Sequence, residues 1–248
     1  SRVNSYEIFV NQKQTHIRNS RGVDVTFSGF DCEIEVVTNS RKDDHEIEIY
    51  KDLRFSDKSA EKIIAEVRGM FHTGRQRLNA VPTRQNEHAD VLLTGNAVGR
   101  FFQYFAMHTN ASYQYMGVAK AKIGEAITGA DADPLNIRLV PTLDGSAKNA
   151  PYDETGMPLA ERVLFKNGIC RSYWGSLQHA HYIGMKDTTS MNNMVVEGGS
   201  KTLDELRSMP HIEITDFSAF DMDAVSGTCG GEIRLPYESD GTTSHPTT

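Results

Sequence analysis

The chain has 248 residues, 38% hydrophobic and 24% charged, with a formal net charge of −7. This is an ordinary globular composition, long enough to bury a core in one large domain or two modest ones. The acidic balance, with no basic block, argues against nucleic acid as the main partner, and the apolar runs are too short for a membrane span or a secretion signal.

The first 50 residues read as strands. "YEIFV", "GVDVTF", "DCEIEVVT" and "HEIEIY" alternate apolar with polar residues at a period of two, the pattern of half-buried strands. "NSRG" (19–22) and "TNSRKDD" (38–44) supply turn chemistry between them. In "SDKSAEKIIAEVRGMF" the period becomes helical, with Ile63, Ile64, Val67, Met70 and Phe71 on one side, a start at Ser56/Asp57 and a stop at Gly74. Residues 75–89 are polar and carry a proline, so the domain linker is expected there, dividing the chain into 1–80 and 81–248.

"DVLLT" reads as a strand, and 96–116 as one helix burying Val98, Phe101, Phe102 and Phe105. "NIRLVPT" is a further strand. In "RVLFKNGICRSYW" two β-prone runs flank Asn167-Gly168, a pair suited to a type I′ hairpin. "GSLQHAHYIG" has a Ser start and a Gly end, as a short helix would. "TLDEL" (202–206) has the capping-box form. "HIEITDF" and "GGEIRLPYE" return to strand alternation, and the tail "SDGTTSHPTT" reads as unstructured or cut short. Strands and helices mixed without a regular βαβ rhythm point to an α+β fold with mainly antiparallel sheets, in two domains.

Cys170, His179 and His181 lie close enough in sequence to suggest a zinc site. A helix over 175–184, however, turns residues two apart to different sides, and no CxxC, HExxH or third close ligand accompanies them. "DMDAVSGTCGGE" (221–232) has carboxylates at calcium-loop offsets, but Val225 and Ser226 stand where an oxygen ligand and a glycine are needed. Cys229 has no identified histidine partner, which leaves it a weak nucleophile candidate. "HE" at 45–46 sits in an alternating strand without a second histidine at helical spacing. The three cysteines give no disulfide framework, which fits a reducing cytoplasm. No metal, cofactor or catalytic residue is expected.

The ordered segments "NSRGVDVTFSGFDCEIEVVT", "DETGMPLAERVLFKNGICRSYWGSLQHAHYIG" and "MNNMVVEGGSKTLDELRS" together resemble the TldD/PmbA (TldE) proteins, also called modulators of DNA gyrase. Asn19, Ser20 and Gly22 match an Asn-Ser-x-Gly turn. Asp153, Gly156, Asn167, Gly168, Ala180 and Gly184 fit an acidic turn, a hairpin and a small-residue helix, and Asn193, Gly198 and Thr202 fit a capped helix. The resemblance implies a cytoplasmic peptidase system acting on peptides or unfolded small proteins, whose TldD-type subunit carries a metal-binding HExxxH. Against that motif, "GNAVGR" places Gly95 and Arg100 at the metal-ligand positions and Asn96 at the general base. Glycine offers no donor, an amide no base, and a guanidinium repels a dication.

The reading that follows is a non-catalytic PmbA/TldE-type subunit. Its partner would be a TldD-like metal-bearing subunit or a second copy, and its ligand a peptide, with neither nucleic acid nor membrane involved. The alternatives are a stand-alone peptide-binding homo-oligomer, or a hydrolase using Cys170, His179, His181 or Cys229. Relative to the family, the chain is expected to begin partway through the N-terminal domain and to stop before a further glycine-rich strand.

Overall fold

A computed structural model describes residues 1–84 and 88–248. Three long antiparallel strands open the chain, β1 (Arg2–Arg18), β2 (Asp24–Lys42) and β3 (His45–Phe55), in the order β1-β2-β3. The turn at 19–22 forms as expected, with Asn19 Oδ1 accepting the backbone N–H groups of Arg21 and Val23. The two strands expected over 22–38 are one continuous strand. Gly29 does not end it, because β1 runs past and sets Lys13 opposite, so the ladder continues. At the other turn β2 reaches Lys42, leaving only Asp43 and Asp44 between strands.

Helix α1 (Ala60–Arg77) lies across this sheet, burying Met70 against Ile34, Val36, Leu53 and Phe55. Its cap is Ser59, whose hydroxyl accepts the Lys62 N–H, rather than Ser56/Asp57. Ser56 is instead tied to the carbonyl of Gly145. Gly74 is no stop. It sits inside the helix where the helix crosses β2, and a Cβ there would stand 2.5 Å from Ser40 Oγ. Of the expected linker, 75–77 finish α1, Val81 bridges to Thr247, and 85–87 lie outside the described residues.

The remainder runs β4 (Val91–Leu93), α2 (Asn96–His108), α3 (Ala111–Met116), β5 (Ile137–Val140), β6 (Arg162–Lys166), β7 (Ile169–Cys170), α4 (Leu177–Tyr182), β8 (Asn193–Val196), α5 (Leu203–Arg207), β9 (His211–Ile214), β10 (Phe217–Met222), β11 (Cys229–Ile233), β12 (Pro236–Ser239) and β13 (Ser244–Pro246). One four-stranded antiparallel sheet has the order β7-β6-β5-β8. A second, β13-β12-β9-β4, is antiparallel except for the β4–β9 pair, and β10-β11 is a separate hairpin. The fold is α+β with mainly antiparallel sheets, as the sequence predicts.

Several boundaries differ from expectation. The single helix over 96–116 is two, because Asn110 leaves helical geometry and caps α3 through the Ser112 N–H. The Asn167-Gly168 turn forms with φ of 53° and 75°, as a type I′ hairpin requires, but β7 is only two residues long. After it Arg171 donates to the Leu164 carbonyl, and the chain leaves the sheet before Trp174. "HIEITDF" and "GGEIRLPYE" each divide between two sheets, with Arg234 N–H bonded to the Asp216 carbonyl where they part. The tail is ordered. β13 pairs with β12, and Thr247 is buried beside Val81. The capping box on α5 is present.

The second core gathers Ala106, Ile137, Leu139, Leu164, Phe165, Cys170 and Trp174, with Phe102 and Phe105 of α2 laid against it. Val98 and Phe101 face a different neighbour, the β10-β11 hairpin, across an apolar cavity of about 680 Å³. Among the described residues, no helix is long and apolar enough to cross a membrane.

Candidate functional site

The start of α2 is fixed from outside the helix. Thr94 N–H donates to the Ile214 carbonyl at 3.0 Å, and its hydroxyl donates to Glu213 Oε1 at 2.9 Å. Glu213, mostly buried on β9, is gripped by Arg207 of α5 through Nη2 at 2.7 Å and Nε at 3.0 Å. The Arg207 guanidinium holds the Glu213 carboxyl below its ordinary pKa against the opposing effect of burial. Residue 94 is therefore anchored, and the turn into the helix falls on the next residue.

Gly95 makes that turn with φ 60° and ψ −137°, a region open essentially to glycine alone. A Cβ at this position would lie 2.7 Å from the Thr215 carbonyl oxygen. Gly95 is the N-cap residue, outside the helix, and gives the first turn no side-chain cap. Asn96 is the first helical residue, and Arg100, one turn on, is exposed and among the described residues hydrogen-bonds only the Phe220 carbonyl, at 3.4 Å.

Set against the HExxxH of a metal-bearing subunit, positions 95 and 100 are the metal-ligand positions and 96 the general base, and the residues present do not fit a divalent metal. Position 95 has no side chain and no room for one, Asn96 supplies an amide, and Arg100 supplies a positive charge. Among the described residues, no three His, Cys, Asp or Glu side chains come together as a metal-holding group.

The other candidates lie apart. Cys170 is fully buried in the second core, and burial pushes its thiol up to about 11. His179 Nδ1 sits 3.0 Å from the capping hydroxyl of Ser176, and its ring meets Tyr182 edge-on and Tyr115 at a tilt, each with centroids 6.0 Å apart. His181 is exposed, and α4 separates the pair as its helical spacing predicts. Cys229 is exposed on β11 at the edge of the apolar cavity. In the 221–232 stretch, Asp223 accepts the N–H groups of Val225 and Ser226, so its carboxylate closes a hairpin turn. Iodoacetamide at neutral pH is accordingly expected to label Cys229 in the folded chain on the order of a hundredfold faster than Cys170, which should react only on unfolding. Peptide mass mapping of a time course measures both rates.

A cleft of about 620 Å³ runs beside α2, bordered by Asn96, Arg100 and Gln103 of the helix and by Lys148 and Asn192 of two loops. Sequence reading found the first two and missed the others. Lys148 and Asn192 come from loops far along the chain and carry no motif, so only the fold places them here.

The profile of the PmbA/TldA metallopeptidase C-terminal domain matches residues 86–248. The crystal structure of TldE from Thermococcus kodakarensis is similar with a TM-score of 0.81 at 17% identity, over 96% of this chain and 57% of that one. A proposed modulator of DNA gyrase from Thermotoga maritima gives a TM-score of 0.76 at 18% identity, over 98% of this chain and 58% of that one. Another from Bacteroides thetaiotaomicron gives 0.68 at 16% identity, over 92% and 53%. The chain thus spans little more than half the length of these structures. No curated protein sequence matches it.

Proposed function

Because the chain belongs to the PmbA/TldD metallopeptidase family, we propose that it acts as the metal-free, PmbA/TldE-type member of a cytoplasmic peptide-processing pair. It would contribute a peptide-holding surface while a TldD-like subunit supplies the metal and the hydrolysis. The observation that carries this reading is Gly95, whose backbone leaves no place for a ligand side chain. Asn96 and Arg100 complete a donor set that cannot hold a dication or accept a proton from water. The profile match beginning at residue 86 supports a domain division near residue 81, as the composition predicts.

Mixed with a TldD-like subunit that carries HExxxH, the chain is expected to co-elute on size exclusion, and alone to cleave no peptide. Failure to co-elute, or chelator-sensitive cleavage by the chain alone, overturns the proposal. A second reading, a stand-alone peptide-binding homo-oligomer, draws on β1. This strand is the outer one of its sheet, and Tyr6, Ile8 and Val10 on it are exposed, which suits strand addition. A stable homodimer that protects a peptide without cutting it would favour that reading. The scattered positions of Cys170, His179, His181 and Cys229 give no support to a hydrolase built from them.

A further inference from the structure

The cleft beside α2 carries charge of one sign only. Asn96, Arg100 and Gln103 recur at spacings of four and three, so they share one face of α2 and border it together. Lys148 borders the same cleft, and among the described residues no Asp or Glu lines it. Two cations bordering one cleft without a described carboxylate stand out in a chain whose net charge is −7. Among the described residues, neither Arg100, which donates to the Phe220 carbonyl at 3.4 Å, nor the Lys148 ammonium forms an ion pair, whereas a basic side chain beside α2 can find a partner within the fold. Lys120, for example, donates to the Tyr104 hydroxyl at 2.8 Å.

The polar groups around the two cations suit a peptide backbone. The side-chain amides of Asn96 and Gln103 make no hydrogen bond among the described residues. Asn192 gives one amide N–H to the Pro141 carbonyl at 3.0 Å, which leaves its other N–H as a donor and its carbonyl oxygen as an acceptor. Carboxamides offer a donor and an acceptor together, the complement of a peptide C=O and N–H. Leu143, Met191 and Met194 give the remaining wall an apolar lining for side chains, and Met adapts to varied shapes.

We propose that this cleft binds an extended, carboxylate-bearing peptide, its carboxylate paired with Arg100 and Lys148 and its backbone amides met by Asn96, Gln103 and Asn192. This deepens the peptide-holding role proposed above and rests on it. The carboxylate comes either from the peptide C-terminus or from an Asp or Glu side chain. A guanidinium takes a carboxylate through paired N–H donors, and each such charge-assisted contact in a half-open cleft contributes about tenfold in affinity.

Fluorescence anisotropy with a short N-terminally labelled peptide tests this at low salt, in three forms: free C-terminal acid, C-terminal amide, and C-terminal amide with one internal Glu. The free acid is expected to bind about tenfold more tightly than the plain amide, with the advantage fading as salt is raised. If the side chain is the source, the glutamyl amide instead carries the gain. Arg100→Gln and Lys148→Gln, both at exposed positions, should each remove that advantage while circular dichroism stays unchanged. Equal affinity for all three peptides, or an advantage that survives both substitutions, overturns the carboxylate assignment and leaves peptide holding intact. No binding of any form overturns the cleft as a peptide site altogether, while co-elution with a metal-bearing subunit is scored separately.

Discussion

The triple variant Gly95→His, Asn96→Glu, Arg100→His is expected to bind no stoichiometric zinc and to be less stable than its parent by about 3 kcal/mol. The substitutions restore every side chain an HExxxH motif asks for, so the outcome turns on backbone. A side chain at 95 must adopt φ 60° and ψ −137°, which costs of order 1–3 kcal/mol for any residue but glycine. Its Cβ must also displace the Thr215 carbonyl from 2.7 Å, and that carbonyl lies on the short link between β9 and β10. A catalytic zinc takes three protein ligands, and the three substitutions themselves supply only two imidazoles. Strain of about 3 kcal/mol weakens a two-ligand site by a further factor of roughly 150.

Two controls locate the cause. Gly95→Ala should lose most of the stability by itself, whereas Asn96→Glu with Arg100→His should stay within about 0.5 kcal/mol of the parent, since both positions are exposed and a glutamate suits the first turn of a helix. Urea denaturation and elemental analysis measure the two quantities. One zinc per chain in the triple variant, or a Gly95→Ala chain as stable as the parent, would show that the turn does have room for a ligand.

What could be read beforehand divides along a physical line. Features set by neighbours in sequence were legible: the Asn167-Gly168 turn, the Thr202–Glu205 capping box, the Ser176 start of α4 and the alternation of residues 31–38. Features set by distant partners were not. Gly29 continues a strand only because β1 lies alongside, and Gly74 marks not a helix end but the place where α1 crosses β2, since Ser40 takes the space a side chain would need. The threonine-rich tail is ordered only because β12 and Val81 pair with it. The candidate site shows the same division. The missing donors at 95, 96 and 100 are visible in the letters "GNAVGR". The glycine-only turn comes from the Thr94–Glu213–Arg207 anchor, and Lys148 from a loop, and neither leaves a mark in a local window.

Trp174→Ala is expected to cost about 3–5 kcal/mol and to lower Tm by about 10 °C. Trp174 is the only tryptophan, 8% exposed, and its segment first suggested a metal. Its indole fills the core between α2 and the β6-β7 hairpin, and Nε1–H donates to the Ala106 carbonyl at 2.8 Å. Its backbone also holds the break between α2 and α3, donating to the Thr109 carbonyl at 3.1 Å and accepting the Ala111 N–H at 2.7 Å. Trp174→Phe keeps most of the apolar volume and loses the indole donor. The Ala106 carbonyl still accepts from the Thr109 hydroxyl, so this change should cost only about 1–2 kcal/mol. Thermal melts followed by circular dichroism compare the variants, since the alanine chain has no indole to report, with Leu177→Ala as an exposed control expected near zero. If Trp174→Ala melted within 2 °C of the parent, the indole would not be the link between helix and hairpin.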